Sequence, residues 1–187
     1  MLLPVQFDPH GWALEPIEVM PISSAYTLFS PDLSARIDIA ALAHKARTFF
    51  ATSLEIDPVK AYPSDRAPDS DAVHIEIKPL GKSQSPGPPT RVFVVTWPLT
   101  RDPSFRYVGD AAAQAIGGAG MDVLVTRAKR IWQVSATPRT GPDVHTPLRV
   151  AAILAAVLLA PIVPPEGHTI YGVKGARERL EKAERRL

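Results

Sequence analysis

A histidine and a glutamate lie two residues apart in the segment Val73–Leu80, at His74 and Glu76. The segment alternates apolar and polar residues, which predicts a half-buried strand. Residues i and i+2 share a strand face, so the two side chains could supply two metal ligands or an acid–base pair. A metal would need a further ligand, and three histidines elsewhere could provide it: His10, His145 and His168. An ordinary solvated strand face explains the same pattern, and we expect neither a metal nor another cofactor.

Basic residues are densest, outside the C-terminal segment, at Arg127, Lys129 and Arg130, with Trp132 beside them. Basic side chains next to an aromatic ring could bind a nucleic-acid backbone and stack on a base. The chain has no recognisable nucleic-acid-binding motif and only 7% aromatic residues. We therefore treat binding of an anion such as nucleic acid at these residues as an alternative function and not as the expected one.

The composition excludes several kinds of site. The chain of 187 residues contains no cysteine, which excludes disulfides, thiolate metal sites and a cysteine nucleophile. Its net charge is +2, yet residues 1–76 hold 11 acidic and 5 basic side chains, and residues 77–187 hold 8 and 16. Such asymmetry indicates either an anionic partner or attraction between the two halves, within one chain or between copies.

The first 31 residues contain five prolines among large apolar side chains, including Phe7 and Trp12. Proline excludes a regular helix, and the segment is too apolar for a solvated linker. We predict an extended arm over residues 1–31, with one short strand at Trp12–Val19. Phe7 and Trp12 are the arm residues expected to contact a partner.

The remaining chain alternates helical and strand patterns. Its predicted order is helix 32–54, strands 73–80 and 91–97, short helix 109–116, one or two strands within 122–136, and helix 148–160. Consecutive strands favour antiparallel hairpins. We predict an α+β core domain, residues 32–165, with a single antiparallel sheet of four or five strands and two long helices on one face.

The last segment, residues 166–187, is predicted to be a connector followed by a charged amphipathic helix over 174–187. Leu180 and Leu187 belong to its narrow apolar stripe, which suits docking on another surface. The stripe could equally pack on the chain's own domain.

The longest apolar stretch, Val150–Val163, is broken by Pro161 and is shorter than the roughly 20 residues that cross a bilayer. Met1-Leu2-Leu3-Pro4 lacks the features of a signal peptide. We therefore expect a soluble, cytoplasmic protein without a membrane partner.

No motif indicates catalysis, and we expect a protein that is not an enzyme. The arm, the charge asymmetry and the terminal helix favour a structural or adaptor subunit that contacts a protein partner or another copy of itself. A bacterial or viral assembly, such as a secretion-type machine, is the expected setting. The alternatives are a small enzyme or ligand-binding domain near His74 and Glu76, and nucleic-acid binding through Arg127, Lys129 and Arg130.

Overall fold

A computed structural model describes residues 19–56, 71–79, 90–136 and 145–185. These residues form one antiparallel sheet with helices on both sides, in the strand order β2-β3-β4-β5-β1-β6. The strands are β1 (Tyr26–Ser30), β2 (Thr52–Ile56), β3 (Asp71–Pro79), β4 (Thr90–Pro98), β5 (Arg130–Ala136) and β6 (Ile162–Val163). The predicted α+β class with a single antiparallel sheet is confirmed, and short strands extend it to six.

Within the described residues, five α-helices connect or follow these strands. They are α1 (Ile39–Phe50), α2 (Ser104–Ala115), α3 (Met121–Arg127), α4 (Thr146–Leu158) and α5 (Val173–Glu184). Within the described ranges, no helix is both long and apolar enough to cross a membrane.

Alternating strand residues divide the interior into two cores. Leu28, Trp132 and Val134 pack with α1, α4 and α5 on one side, which we call the α4 face. Phe29 and Ile131 pack with α2 and α3 on the other side, the α2–α3 face. Since successive strand residues point to opposite faces, the strands must be apolar on both sides where helices cover both.

The helix α4 forms the centre of the α4 face. Pro147 lies in its first turn, where a missing backbone donor costs nothing, and Leu159 ends it in the left-handed conformation. The helix is apolar around most of its circumference, as expected of a buried helix. The long helices α1 and α4 both pack on this face, as predicted.

The helix α1 is shorter than its predicted range of 32–54. The carboxylate of Asp38 accepts a hydrogen bond from the Ala41 N–H at 2.9 Å, which caps the first turn. At the other end Ala51 adopts a left-handed conformation, and β2 begins at the next residue. The two caps restrict the helix to Ile39–Phe50.

The prediction of one or two strands within 122–136 was wrong for its first half. Met121–Arg127 is the helix α3, and only Arg130–Ala136 is a strand. The β-branched residues Val123, Val125 and Thr126 favour a strand locally. Packing of Val125 against α2 overrides that preference, because the residue is buried beneath Gly109.

Most of the predicted proline-rich arm, including Phe7 and Trp12, lies outside the described residues. So does the predicted strand Trp12–Val19, apart from its last residue. The end of the arm, Tyr26–Ser30, is strand β1, which lies between β5 and β6 within the sheet.

Candidate functional site

The buried side chain of Gln133 joins the chain before β1 to the sheet. Its Oε1 accepts a hydrogen bond from the Met20 N–H at 2.8 Å, and its Nε2 donates to the Met20 carbonyl at 2.8 Å. The amide therefore satisfies both backbone groups of Met20 as a neighbouring strand would. This polar group stabilises the fold and is not aimed at a pocket.

Arg106 has a similar structural role on the α2–α3 face. Its guanidinium donates to the carbonyls of Val125, Thr126 and Ala128 at 2.8–3.0 Å. The last carbonyls of a helix have no partner within the helix, and a cation satisfies them best. Arg106 thus fixes the end of α3 against α2.

The structure separates the three basic residues that were considered for anion contact. Arg127 and Lys129 are exposed, whereas Arg130 is fully buried on the α4 face. The Arg130 Nε donates to the Thr96 hydroxyl at 2.9 Å, and its Nη1 donates to the Leu33 carbonyl at 3.2 Å. The neighbouring Trp132 is also buried, so neither it nor Arg130 is presented to a ligand from solution.

His74 and Glu76 lie on strand β3 as predicted. The backbone register places His74 opposite Phe93 on β4, and Glu76 opposite Arg91. Glu76 is also opposite Glu55 on the edge strand β2. The side chains of His74 and Glu76 are outside the described part, so the metal or acid–base interpretation stays a prediction.

Among residues 19–56, 71–79, 90–136 and 145–185, no three histidine or acidic side chains are grouped as metal ligands. His145 directly precedes the first turn of α4, and His168 lies after α4, in the segment that leads to α5. His10 is outside the described residues.

Leu180, predicted to contact a partner, is buried in the chain's own interior. It packs with Ala176 in the core of the α4 face, where α5 lies against α4. Leu187, the other predicted contact on this helix, lies outside the described part. The apolar stripe of α5 therefore has an intramolecular partner, and the charged sides of the helix remain exposed.

A shallow groove of about 520 Å³ lies at the outer surface of the α4 face. Phe49 of α1 and Leu159 at the end of α4 contribute exposed apolar surface, and Leu159 is 78% exposed. Lys45 crosses the Phe49 ring with its ammonium 4.3 Å from the ring centroid. Lys174, Arg177, Glu178 and Glu181 of α5 form the opposite wall.

These groove residues were not selected from the sequence. Two pairs of large apolar residues at helix ends could have indicated an exposed apolar surface. They are Phe49-Phe50 at the end of the first helix, and Leu158-Leu159 shortly before Pro161. An apolar residue at a helix end packs or projects according to the local cap. Leu159 adopts φ 53° and projects outward.

A second exposed apolar surface lies on the opposite side of the sheet. Tyr107 of α2 is 77% exposed, and Val123 and Leu124 of α3 are also exposed, with Ile116 in the turn between the two helices. Isolated apolar side chains are common on protein surfaces. Four large ones lie on this pair of helices, which makes the pair a candidate for contact with another molecule.

Two tyrosines lie close to α5 at the other end of the α4 face. Burial is the main cause that raises the pKa of Tyr171, and nearby Tyr26 raises it further. The guanidinium of Arg179 lies 3.9 Å from the Tyr171 ring centroid and opposes these effects in part. The rings are neutral at physiological pH and act as apolar packing groups with polar edges.

The fold and its surfaces define an α+β domain that presents helices on both sides of one antiparallel sheet. No family model, no curated protein and no solved structure matches the chain.

Proposed function

We propose that the protein is a non-catalytic structural or adaptor subunit that acts through protein–protein contacts in a larger assembly. One observation carries the proposal: large apolar side chains are exposed on the helices of both sheet faces, at Phe49 and Leu159 and at Tyr107, Val123 and Leu124. A subunit that joins two neighbours needs two separate contact surfaces. Tyrosine is among the residue types that contribute most to such contacts, and exposed aliphatic side chains add apolar area that a partner can bury.

The polar groups of the interior support the same proposal. Gln133, Arg106 and Arg130 each form hydrogen bonds with backbone groups of this chain. Their polar groups are therefore used to stabilise the fold. The proposal includes a cytoplasmic location and an assembly of the viral or secretion type. It favours a protein partner over nucleic acid, since Arg130 and Trp132 are buried.

The experiment is purification of the tagged full chain from its native cell, followed by native mass spectrometry of the intact complex. Leu124→Glu places a charge among the exposed apolar residues Tyr107, Val123 and Leu124, which we call the α2–α3 surface. Arg47→Glu places a charge at an exposed position of α1 away from the groove. We expect the wild type and Arg47→Glu to be recovered in the same stoichiometric complex. Leu124→Glu should lose at least one component.

Recovery of the wild-type chain without any stoichiometric protein would contradict the proposal. Equal recovery of all components with Leu124→Glu would remove the α2–α3 surface from it. A thermal melt of each variant shows whether the substitution left the chain folded.

A further inference from the structure

Four charged residues of α5 form one stripe along the groove. Lys174, Arg177, Glu178 and Glu181 are spaced at i, i+3, i+4 and i+7, so they lie on one side of the helix. We call these four residues the α5 stripe. Its first two members are basic and its last two are acidic.

The charged groups of the α5 stripe lie near one another on the helix, with Lys174 and Glu178, and Arg177 and Glu181, at i, i+4 positions. In the described part of the protein, these four side chains form no ion pair, whereas nearby Glu184 accepts a hydrogen bond from Arg149 at 3.1 Å. The guanidinium carbon of Arg177 lies 5.8 Å from the centroid of the Phe50 ring. The stripe therefore presents a basic end and an acidic end to the groove.

This order of charges is complementary to itself in one direction only. Two such helices side by side and antiparallel bring Lys174 of one next to Glu181 of the other, and Arg177 next to Glu178. A parallel arrangement would place like charges together, which is costly. We propose that the groove binds a second copy of this chain, with the two α5 helices antiparallel about a two-fold axis. The inference rests on the proposed function and names one of its partners.

The groove supplies the apolar part of such an interface. A helix of 12 residues is roughly 18 Å long and about 10 Å wide. The area that one side of it can cover is therefore smaller than the ~800 Å² that each partner of a stable interface usually contributes. Phe49 and Leu159 lie beside the stripe and extend the contact surface. A two-fold axis uses this same surface from both copies, as most homodimers do.

Sedimentation equilibrium of the full chain with reversed charges tests the inference. One variant carries Lys174→Glu and Arg177→Glu, and the other carries Glu178→Lys and Glu181→Lys. Each has a stripe of a single sign, so each alone should sediment as a monomer of about 20.3 kDa. An equimolar mixture should form a heterodimer, and wild type should dimerise with an affinity that weakens as salt rises.

Three further variants separate charge pairing from an effect on folding. Lys174→Glu combined with Glu181→Lys in one chain restores opposite charges across the two-fold axis, so this chain should dimerise. The single change Lys174→Glu should raise the dissociation constant about tenfold or more. Arg127→Glu, at an exposed position of α3 on the opposite side of the sheet, should leave it unchanged.

A wild-type chain that stays monomeric at every concentration would overturn the inference. So would a mixture of the two reversed variants that stays monomeric, or reversed variants that each dimerise as wild type does. The proposed function is judged separately: if the native complex still forms with a monomeric chain, the subunit proposal stands and only the second copy is excluded.

Discussion

On the α4 face, one long helix buries Leu148 and every side chain from Val150 to Ala155, and the core beneath it is mostly hydrocarbon. The hydrogen-bonded pair Arg130 and Thr96 is also buried on this face. On the α2–α3 face, two shorter helices cover the sheet, and polar side chains secure them. Arg106 holds the end of α3, and Gln133 holds Met20. The first face has the larger apolar core, whereas on the second a smaller apolar core is supplemented by the close approach of α2 to α3 and by hydrogen bonds from Arg106 and Gln133.

The largest expected effect comes from removing buried volume on the α4 face. Leu154 is 1% exposed in the middle of α4. Leu154→Ala should lower the free energy of unfolding by about 2–5 kcal/mol, because the vacated space is only partly refilled. Urea unfolding measures this loss.

Leu159→Ala is the matched control, since Leu159 lies five residues later and is exposed. It should change the free energy of unfolding by less than about 0.5 kcal/mol. Equal losses at the two positions would mean that the α4 face is not the close-packed core described here.

On the α2–α3 face, the sensitive position is a glycine. A Cβ at Gly109 would lie 2.7 Å from Cγ1 of Val125 and 2.9 Å from Cζ of Phe29. Gly109→Ala should therefore destabilise the protein by about 1–3 kcal/mol through overpacking. Helix propensity alone predicts the opposite sign, a gain of about 1 kcal/mol.

The sign of the change in urea unfolding thus decides between the two effects. Gln114→Ala, at an exposed position of the same helix, should be neutral or slightly stabilising. A stabilising Gly109→Ala would show that α2 is less closely packed on α3 than described.

Sequence patterns predicted the α4 face better than the α2–α3 face. An apolar run after Thr146-Pro147 indicates a buried helix, and α4 follows it within two residues at each end. The helix α3 was missed because its stabilising partners, Gly109 and Arg106, lie about 16 to 22 residues from the groups that they contact and leave no local signal. The strand β1 was hidden in a proline-rich segment because its partner strand β5 lies about 100 residues later in the sequence.

The candidate surfaces were predicted only in part. Charge at the C-terminal helix was visible, but the direction of its apolar stripe was not. Leu180 faces inward, and the charged stripe faces the groove. Which side of an amphipathic helix is free depends on the neighbours that it meets in the fold.

A smaller effect is expected at Arg106, because its contacts are partly exposed. Arg106→Met should lower the free energy of unfolding by about 1–2 kcal/mol, since three carbonyls lose a charged donor. Hydrogen exchange should show the loss of protection concentrated in α3. Arg101→Met, a partly buried arginine nearby, should leave α3 protected.

The smallest effect is a dependence of stability on alkaline pH. Burial raises the pKa of Tyr171 above its ordinary value of 10.0. The folded state therefore keeps this proton when the unfolded chain has lost it, so the contribution is complete below pH 10.0 and declines as the pH rises above it. Tyr171→Phe should flatten that decline in urea unfolding measured on both sides of pH 10.0. A decline of equal slope in both proteins would assign it to other groups.

Hydroxyl-radical footprinting of the full chain, free and within its native complex, tests the claim of protein contact most directly. The method reports the solvent exposure of individual side chains. We predict that Tyr107 and Leu124 react in the free chain and are protected in the complex, with Phe49 and Leu159 already protected wherever the chain is dimeric. Unchanged reactivity of Tyr107 and Leu124 in the complex would contradict the account.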